Sequence, residues 1–339
     1  MSRNIREADN IGLSVVVTTY NGEDYIQEQL DSILAQTRVP DEVIILDDGS
    51  TDDSIEILRE YEEKHPTLFD LKINDRNLGV TKNFEKGIRV ASGDAIFLCD
   101  QDDVWHEKKV ERQTSALLKN NGMLSFHDSL IVDKSLSPLD RHWNMVSYTI
   151  ANRSRHSDFT QLTIRNFVKG SSILMDSSLR DFILPIPQEW AHDWYIALIA
   201  TIISDLIPIN EPLHQYRRHK NQESGQHTDS TFTALKRGIQ SNPVAKQYQQ
   251  NAVSWKKLEE KLNTLSASEI KINRSFAERL ITQRYNYESN RAVIYDGSVK
   301  LSLKLRAIFD NFSSGYYQKY GDVHPLFYVF KDILYSSGK

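Results

Sequence analysis

Cysteine is nearly missing from this sequence: Cys99 stands alone among 339 residues. A disulfide framework and a cysteine-built zinc site are thereby excluded, and a reducing compartment is the expected setting. Glycine and proline are scarce, at 14 and 9, which excludes collagen-like and low-complexity chains. The 40% hydrophobic and 26% charged residues instead indicate a packed globular protein. Long apolar runs are lacking too. The nearest, Trp194 to Ile209, is interrupted by Ser204 and Asp205 and is short for a bilayer, so it reads as a buried core helix. The opening segment, Met1 to Asn10, is polar and charged, unlike a secretory signal. The expectation is a soluble, cytoplasmic protein with two average domains, or with one large α/β domain and an appendage.

Charge is unevenly placed. Residues 1–227 carry 24 Lys+Arg against 36 Asp+Glu, whereas residues 228–339 carry 17 against 10. An acidic front part argues against nucleic acid as a partner, because phosphate backbones need a basic footprint. The basic tail suits an anionic surface, such as the inner membrane leaflet or a lipid-diphosphate acceptor, or simply a solvated helical face.

Two periodicities alternate in the front part. Leu13 to Tyr20, Val43 to Leu46, Leu71 to Ile73 and Ala95 to Leu98 read as buried strands. Helical stripes lie between and after them: Ile26, Leu30, Ile33 and Leu34; about Asp52 to Lys64; about Thr81 to Val90; about Glu107 to Lys119. This alternation predicts βαβ crossovers and a mostly parallel sheet. Further on, Met123 to Val132, Ser172 to Met175 and Leu213 to Arg217 read as strands, and Asp193 to Ser204 as a helix. From about Thr228 the pattern turns helical, with Trp255, Leu258 and Leu262 on one stripe. The expected division is 1–227 and 228–339, with the boundary near Gln226 to Ser230.

Ligands of open α/β sheets bind beyond the carboxyl ends of the strands. Three such ends carry Thr18-Thr-Tyr-Asn21, Asp47-Asp48 and Asp100-Gln-Asp-Asp103. Three carboxylates within four residues repel one another unless a cation sits among them, and hard oxygen donors suit Mg²⁺ or Mn²⁺. The same cluster also reads as an acidic start to the following helix, with Asp103 as its cap. A dinucleotide-binding reading of Asp47-Asp48 fails, because the first turn, Thr19 to Asp24, holds one glycine where Gly-x-Gly-x-x-Gly is needed.

Val17-Thr-Thr-Tyr-Asn-Gly22, Ile44-Ile-Leu-Asp-Asp-Gly-Ser-Thr-Asp52, Asn77-Leu-Gly79 with Asn83, Ser92-Gly-Asp94, Asp100-Gln-Asp-Asp-Val-Trp105, His192-Asp-Trp194 and Tyr216-Arg-Arg-His219 occur in this order. Together they resemble the family 2 glycosyltransferases of the GT-A fold, most closely the bacterial rhamnosyltransferase-type branch that builds surface polysaccharides. The resemblance spans about Ile11 to Gly225. It implies a Rossmann-like, mostly parallel sheet with flanking helices, followed here by a mainly helical C-terminal extension. It also implies roles. Thr18, Tyr20 and Asp48 would line the nucleobase pocket, with Asp48 accepting from a uracil or thymine N–H. Lys82 would stand near the nucleotide, where relatives have an arginine. Asp100 and Gln101 would lie by the ribose. Asp102 would be the direct metal ligand, with His219 near metal and diphosphate and Asp103 an outer ligand or helix cap. Asp193 would be the catalytic base. Arg217 and Arg218 would assist with phosphates, Gly170-Ser-Ser172 would wall the acceptor side, and Trp194 would either stack an acceptor sugar or sit in the core.

The activity so implied is inverting, metal-dependent sugar transfer, with rhamnose among the donor sugars, from a UDP- or dTDP-type donor to a polysaccharide or lipid-linked glycan. A nucleotidyltransferase and a non-catalytic sugar-nucleotide or glycan-binding protein are the competing classes. The first of these lacks its glycine-rich basic loop here, and the second has no need of Asp102 and Asp193 together. The C-terminal stretches Leu301 to Arg306 and Tyr328 to Tyr335 mix aromatic or aliphatic residues with cations. They fit a surface-lying amphipathic segment, a homodimer contact, or packing onto the catalytic domain.

Overall fold

Seven consecutive buried residues, Leu13–Thr19, form the first strand, β1. A β-branched run buried on both faces is what the centre of a parallel sheet requires. The computed structural model describes residues 11–120, 122–219, 243–321 and 324–336. Strand β1 pairs in parallel with β2 (Glu42–Asp47) on one side and β4 (Ala95–Asp100) on the other, and β3 (Phe69–Ile73) extends the sheet beyond β2. The connecting helices are α1 (Ile26–Leu34), α2 (Ser54–Lys64) and α3 (Val80–Val90). Side chains alternate across the sheet. Leu13, Val15, Val17, Val43, Ile45, Phe97 and Cys99 share one core with Ile26, Leu30 and Leu58 from α1 and α2. Phe84 and Ile88 of α3 are buried, with α3 packed against β1 and β2.

The other half of the sheet is mixed. After the short β5 (Val104–Trp105) and α4 (Lys109–Lys119) come β6 (Gly122–Val132) and β7 (Pro138–Arg141). Short helices follow: α5 (His142–Met145), α6 (Arg155–Leu162), a 3₁₀ turn at Gly170–Ser172 and, after β8 (Leu174–Asp176), α7 (Arg180–Ile183). Helix α8 (His192–Ile203) and β9 (Asp205–Arg217) complete this part. The strand order is β3-β2-β1-β4-β8-β6-β9-β5, with β7 on the side of β6. Strand β8 runs antiparallel to both β4 and β6, while β6 and β9 run parallel.

One expectation is corrected here. The apolar run Trp194 to Ile209 is not a single helix: α8 ends at Ile203 and β9 begins at Asp205. Ser204 and Asp205 mark a change of backbone, and the apolar residues beyond them line a strand instead.

Residues Met1–Gln222 and Glu223–Lys339 form two compact units. The expected boundary near Gln226 to Ser230 lies outside the described residues, as does Met1 to Asn10. In the second unit α9 (Pro243–Thr264) and α10 (Arg274–Tyr295) pack along each other and bury Trp255, Leu258, Leu262, Leu280 and Ile281. Helices α11 (Leu301–Ser313), α12 (Tyr316–Tyr320) and α13 (Pro325–Ser336) follow. Among the described residues no helix is long and apolar enough to cross a membrane.

Candidate active site at the carboxyl ends of the strands

Parallel strands in register end at one level, and that level is the site. Thr18 lies beside Asp100, and Thr19 beside Asp47. Asp47 folds its own turn, accepting from the Gly49 and Ser50 amides at 3.0 and 2.8 Å. Asp48 reaches across to the loop before α3. It accepts from the Asn74 side chain and from the Leu78 and Gly79 amides, each at 2.8 Å. Amides at the start of a helix lack intrahelical partners and attract a carboxylate. Asp48 therefore holds the loop that contains Asn77-Leu-Gly79. Three of its roughly four acceptor positions are filled by these donors.

Gln101 stitches β1 to β4. Its carbonyl accepts from the Thr19 hydroxyl and the Tyr20 amide, both at 2.8 Å, and its amide donates to the Tyr20 carbonyl at 3.2 Å. A Cβ on Gly22 would collide with this carboxamide, which explains the glycine. Gln101 is the residue expected beside the ribose, and its polar atoms hold the framework around Thr18, which is buried, and Tyr20, which is 43% exposed. Lys82, expected near the nucleotide, is also bonded within the fold. Its ammonium donates to Glu85 at 2.6 Å and to the Ile186 carbonyl at 2.8 Å. Glu85 also accepts from Arg89 and from the Ile186 amide, so Lys82 belongs to a clamp between α3 and the segment before α8. A lysine without the guanidinium fork is drawn to the nearest carboxylate and carbonyl.

The acidic cluster divides into three environments. Asp102 Oδ2 lies 2.8 Å from His219 Nε2. The His219 ring rests on Tyr25 at 4.6 Å between centroids, and its buried Nδ1 has no hydrogen-bond partner among the described residues. Asp103 is fully buried, accepts from the Arg217 amide at 3.2 Å and lies 3.5 Å from His214. Burial, with Asp102 and Asp100 adding to it, holds its carboxyl well above the usual carboxylate range. Asp103 is not the helix cap: α4 starts at Lys109, with Lys108 before it. Asp100 is pushed up to about 7, first by burial and then by the negative charges of Asp102 and Asp193, with the Lys169 cation and Ser171 opposing. Asp100 thus feels the carboxylate at the end of its own strand and the one on α8.

Asp193 lies in the first turn of α8, behind Ala191 at the cap, and accepts from the Trp194 amide at 2.6 Å. The Gly170–Ser172 turn meets this helix start closely: a Cβ on Gly170 would stand 2.7 Å from His192 Nε2. His192 in turn stacks on Phe84 at 4.1 Å. The turn is held from behind by α4, where Lys109 donates to the Ser171 carbonyl at 3.0 Å and Gln113 to the Ser172 carbonyl at 2.8 Å.

Arg217 and Trp194 are bonded within the fold. Arg217 is buried, and its guanidinium donates to the Asp102 and Lys134 carbonyls and to Glu28, so it braces the cluster. Trp194 donates its indole N–H to the Leu162 carbonyl at 2.8 Å and packs edge-on against Trp190. Arg218 differs from Arg217: its guanidinium lies 3.6 Å from the Met145 sulfur.

Two lysines were not identified from sequence. Lys169 lies over the Tyr216 ring at 4.3 Å and acts electrostatically on Asp100. Its only sequence signal is its place next to Gly170-Ser-Ser172. Lys109 is fully buried, bonded to Gln113 and 2.7 Å from His127, and burial lowers its amine to about 7. A charged stretch at the start of a helix gives no hint of such burial.

Among the described residues no three or more His, Cys, Asp or Glu side chains gather into a group that could hold a metal. Asp102 and His219 form a two-donor set. That is the number a Mg²⁺- or Mn²⁺-type site needs when substrate phosphates and water complete the shell.

Residues 14–182 match the family model described as Glycosyl transferase family 2. The chain is 31% identical over 221 residues to an uncharacterized protein of Mycobacterium tuberculosis, covering 61% of this chain and 59% of that one. It is 27% identical over 229 residues to the dTDP-rhamnosyl transferase RfbG of Shigella flexneri, covering 62% and 73%. In fold it is similar to S. aureus TarS 1-349 in complex with UDP-GlcNAc, with a TM-score of 0.54 at 15% identity over 97% of this chain and 92% of that one.

Proposed function

The chain belongs to the family 2 glycosyltransferases, and from that premise we propose that it is an inverting, metal-dependent sugar transferase. The donor is a UDP- or dTDP-type nucleotide sugar, and the acceptor is a polysaccharide or lipid-linked glycan on the way to the cell surface. The observation that carries this reading is that Asp100, at the end of β4, is acted on by the charges of both Asp102 and Asp193, the latter in the first turn of α8. A carboxylate cluster at the strand ends and a separate carboxylate on a helix start suit transfer between a diphosphate and a hydroxyl. A protein that only bound sugar nucleotides would have no use for the second.

Thr18, Tyr20 and the remaining acceptor position of Asp48 form the pocket for the base. One open acceptor matches the single ring N–H of uracil or thymine. Asp102 and His219 would hold a divalent cation, whose chemistry is to neutralise the charge growing on the leaving diphosphate. Asp193 takes the proton from the acceptor hydroxyl as that oxygen attacks the anomeric carbon, while the bond from that carbon to the diphosphate oxygen breaks on the opposite face. Lys169 balances the carboxylates around the donor. Rhamnose from dTDP-rhamnose is the donor favoured by the Shigella flexneri relative, of which the matched region covers 73%. The lone cysteine, buried on β4, fits a cytoplasmic setting.

A panel of UDP-, dTDP- and GDP-sugars incubated with Mg²⁺ or Mn²⁺ tests this reading through release of nucleoside diphosphate. Turnover of a uracil or thymine donor is expected. Turnover confined to GDP-sugars would overturn the base pocket, and turnover of none would overturn the proposed activity.

A further inference from the structure

Helix α13 has its polarity reversed. Among the described residues its exposed ones are Leu326, Phe327, Phe330, Ile333 and Leu334, all apolar, with Phe330 63% and Leu326 59% exposed. Its acidic residue points inward. Asp332 is fully buried, pairs with Arg291 and accepts from the Tyr295 and Tyr317 hydroxyls at 2.9 and 2.6 Å. Helix α11, packed against α13, adds a stripe of exposed Leu301, Leu305, Phe309 and Phe312, one to a turn, bordered by exposed Arg306. Exposed apolar side chains in this number on two packed helices mark a docking face.

We propose that the second unit docks through α11 and α13 on a membrane leaflet rich in anionic lipid. Hydrocarbon outside and ion pairs inside is the arrangement suited to a lipid surface, and a helix of 12 residues lies in the interface without crossing it. Charge selects the occupant. Residues 228–339 carry 17 Lys+Arg against 10 Asp+Glu, so an anionic leaflet attracts them. A second copy pairing through the same face would bring two cationic units together.

Flotation of the full chain with vesicles of phosphatidylcholine, alone or mixed with an equal part of phosphatidylglycerol, tests this inference. Co-flotation with the anionic vesicles, weakened by salt and by omission of phosphatidylglycerol, is expected. Phe327→Asp combined with Phe330→Asp removes two exposed rings without touching the packed interior, and should weaken binding roughly tenfold or more. Phe330→Trp, a conservative change, should gain emission that brominated lipid quenches. Absence of flotation, undiminished binding by the double variant, or an unquenched Trp would each overturn the inference. So would a wild-type dimer that the double variant splits without any vesicle binding. None of these readings requires sugar transfer, so their failure leaves the proposed activity standing.

Discussion

Replacing Asp193 by asparagine separates chemistry from folding. The Asn side-chain oxygen can still accept from the Trp194 amide, the 2.6 Å bond that Asp193 makes at the start of α8. What disappears is the negative charge at the helix start, worth about 0.3–1 kcal/mol of stability, so the melting temperature should fall by only about 1–4 °C for a unit of this size. What also disappears is the proposed proton acceptor. A positioned general base contributes roughly 10²–10⁴ in rate, or about 3–5 kcal/mol at 1.36 kcal/mol per tenfold. UDP and dTDP binding by calorimetry should remain near wild type, because Thr18, Tyr20 and Asp48 lie on other elements. Transfer to acceptor, measured as released nucleoside diphosphate, should fall by that two- to four-decade factor at unchanged nucleotide affinity. A variant that transfers at the wild-type rate would remove Asp193 from the chemistry. One that loses nucleotide binding in the same proportion as rate would show that Asp193 supports the donor site instead.

Removing one of the two donors by Asp102→Ala should weaken Mn²⁺ binding in the presence of UDP, followed by paramagnetic resonance of free Mn²⁺, and slow transfer by roughly 10²-fold or more; full activity in chelator would refute a metal role. Lys109 offers a pH test of the scaffold behind the site. Its folded-state amine is lowered to about 7 from 10.5, so between those values the unfolded chain binds the extra proton and folding stability rises with pH, by up to about 1.4 kcal/mol per unit. Chemical denaturation from pH 7 to pH 10 should show this slope in the wild type and a smaller one in Lys109→Met. Equal slopes would refute the buried-amine assignment.

The strand ends were legible in the sequence because their order in space follows from their order in the chain. Parallel strands joined by helices deliver Thr18, Asp48 and Asp100 to one edge whatever the details of packing, and each sits at the end of an apolar run. Residues brought in by β9 were harder to place. His214 and Arg217 reach the cluster because β9 pairs with β5 and β6, with Gln215 opposite Val104 and His214 opposite Trp105, and no periodicity announces that pairing. The first half of β9 was concealed within the apolar run that began in α8, since a short run buried on all sides has no period to separate strand from helix. Polar roles divide along the same line. The motif residues Asn77 to Gly79 and Asn83 cluster by sequence, and in the fold they hold the loop around Asp48. Lys169, which does face the carboxylates, sits in no charged cluster and would be passed over as a surface cation. A short motif therefore locates the edge at which chemistry occurs, while the division of labour between framework and reacting groups depends on which hydrogen-bonding atoms the fold has already used. Gln101, Lys82 and Arg217 are bonded into the framework, and Asp102, His219 and Asp193 are the residues proposed to act on the substrate.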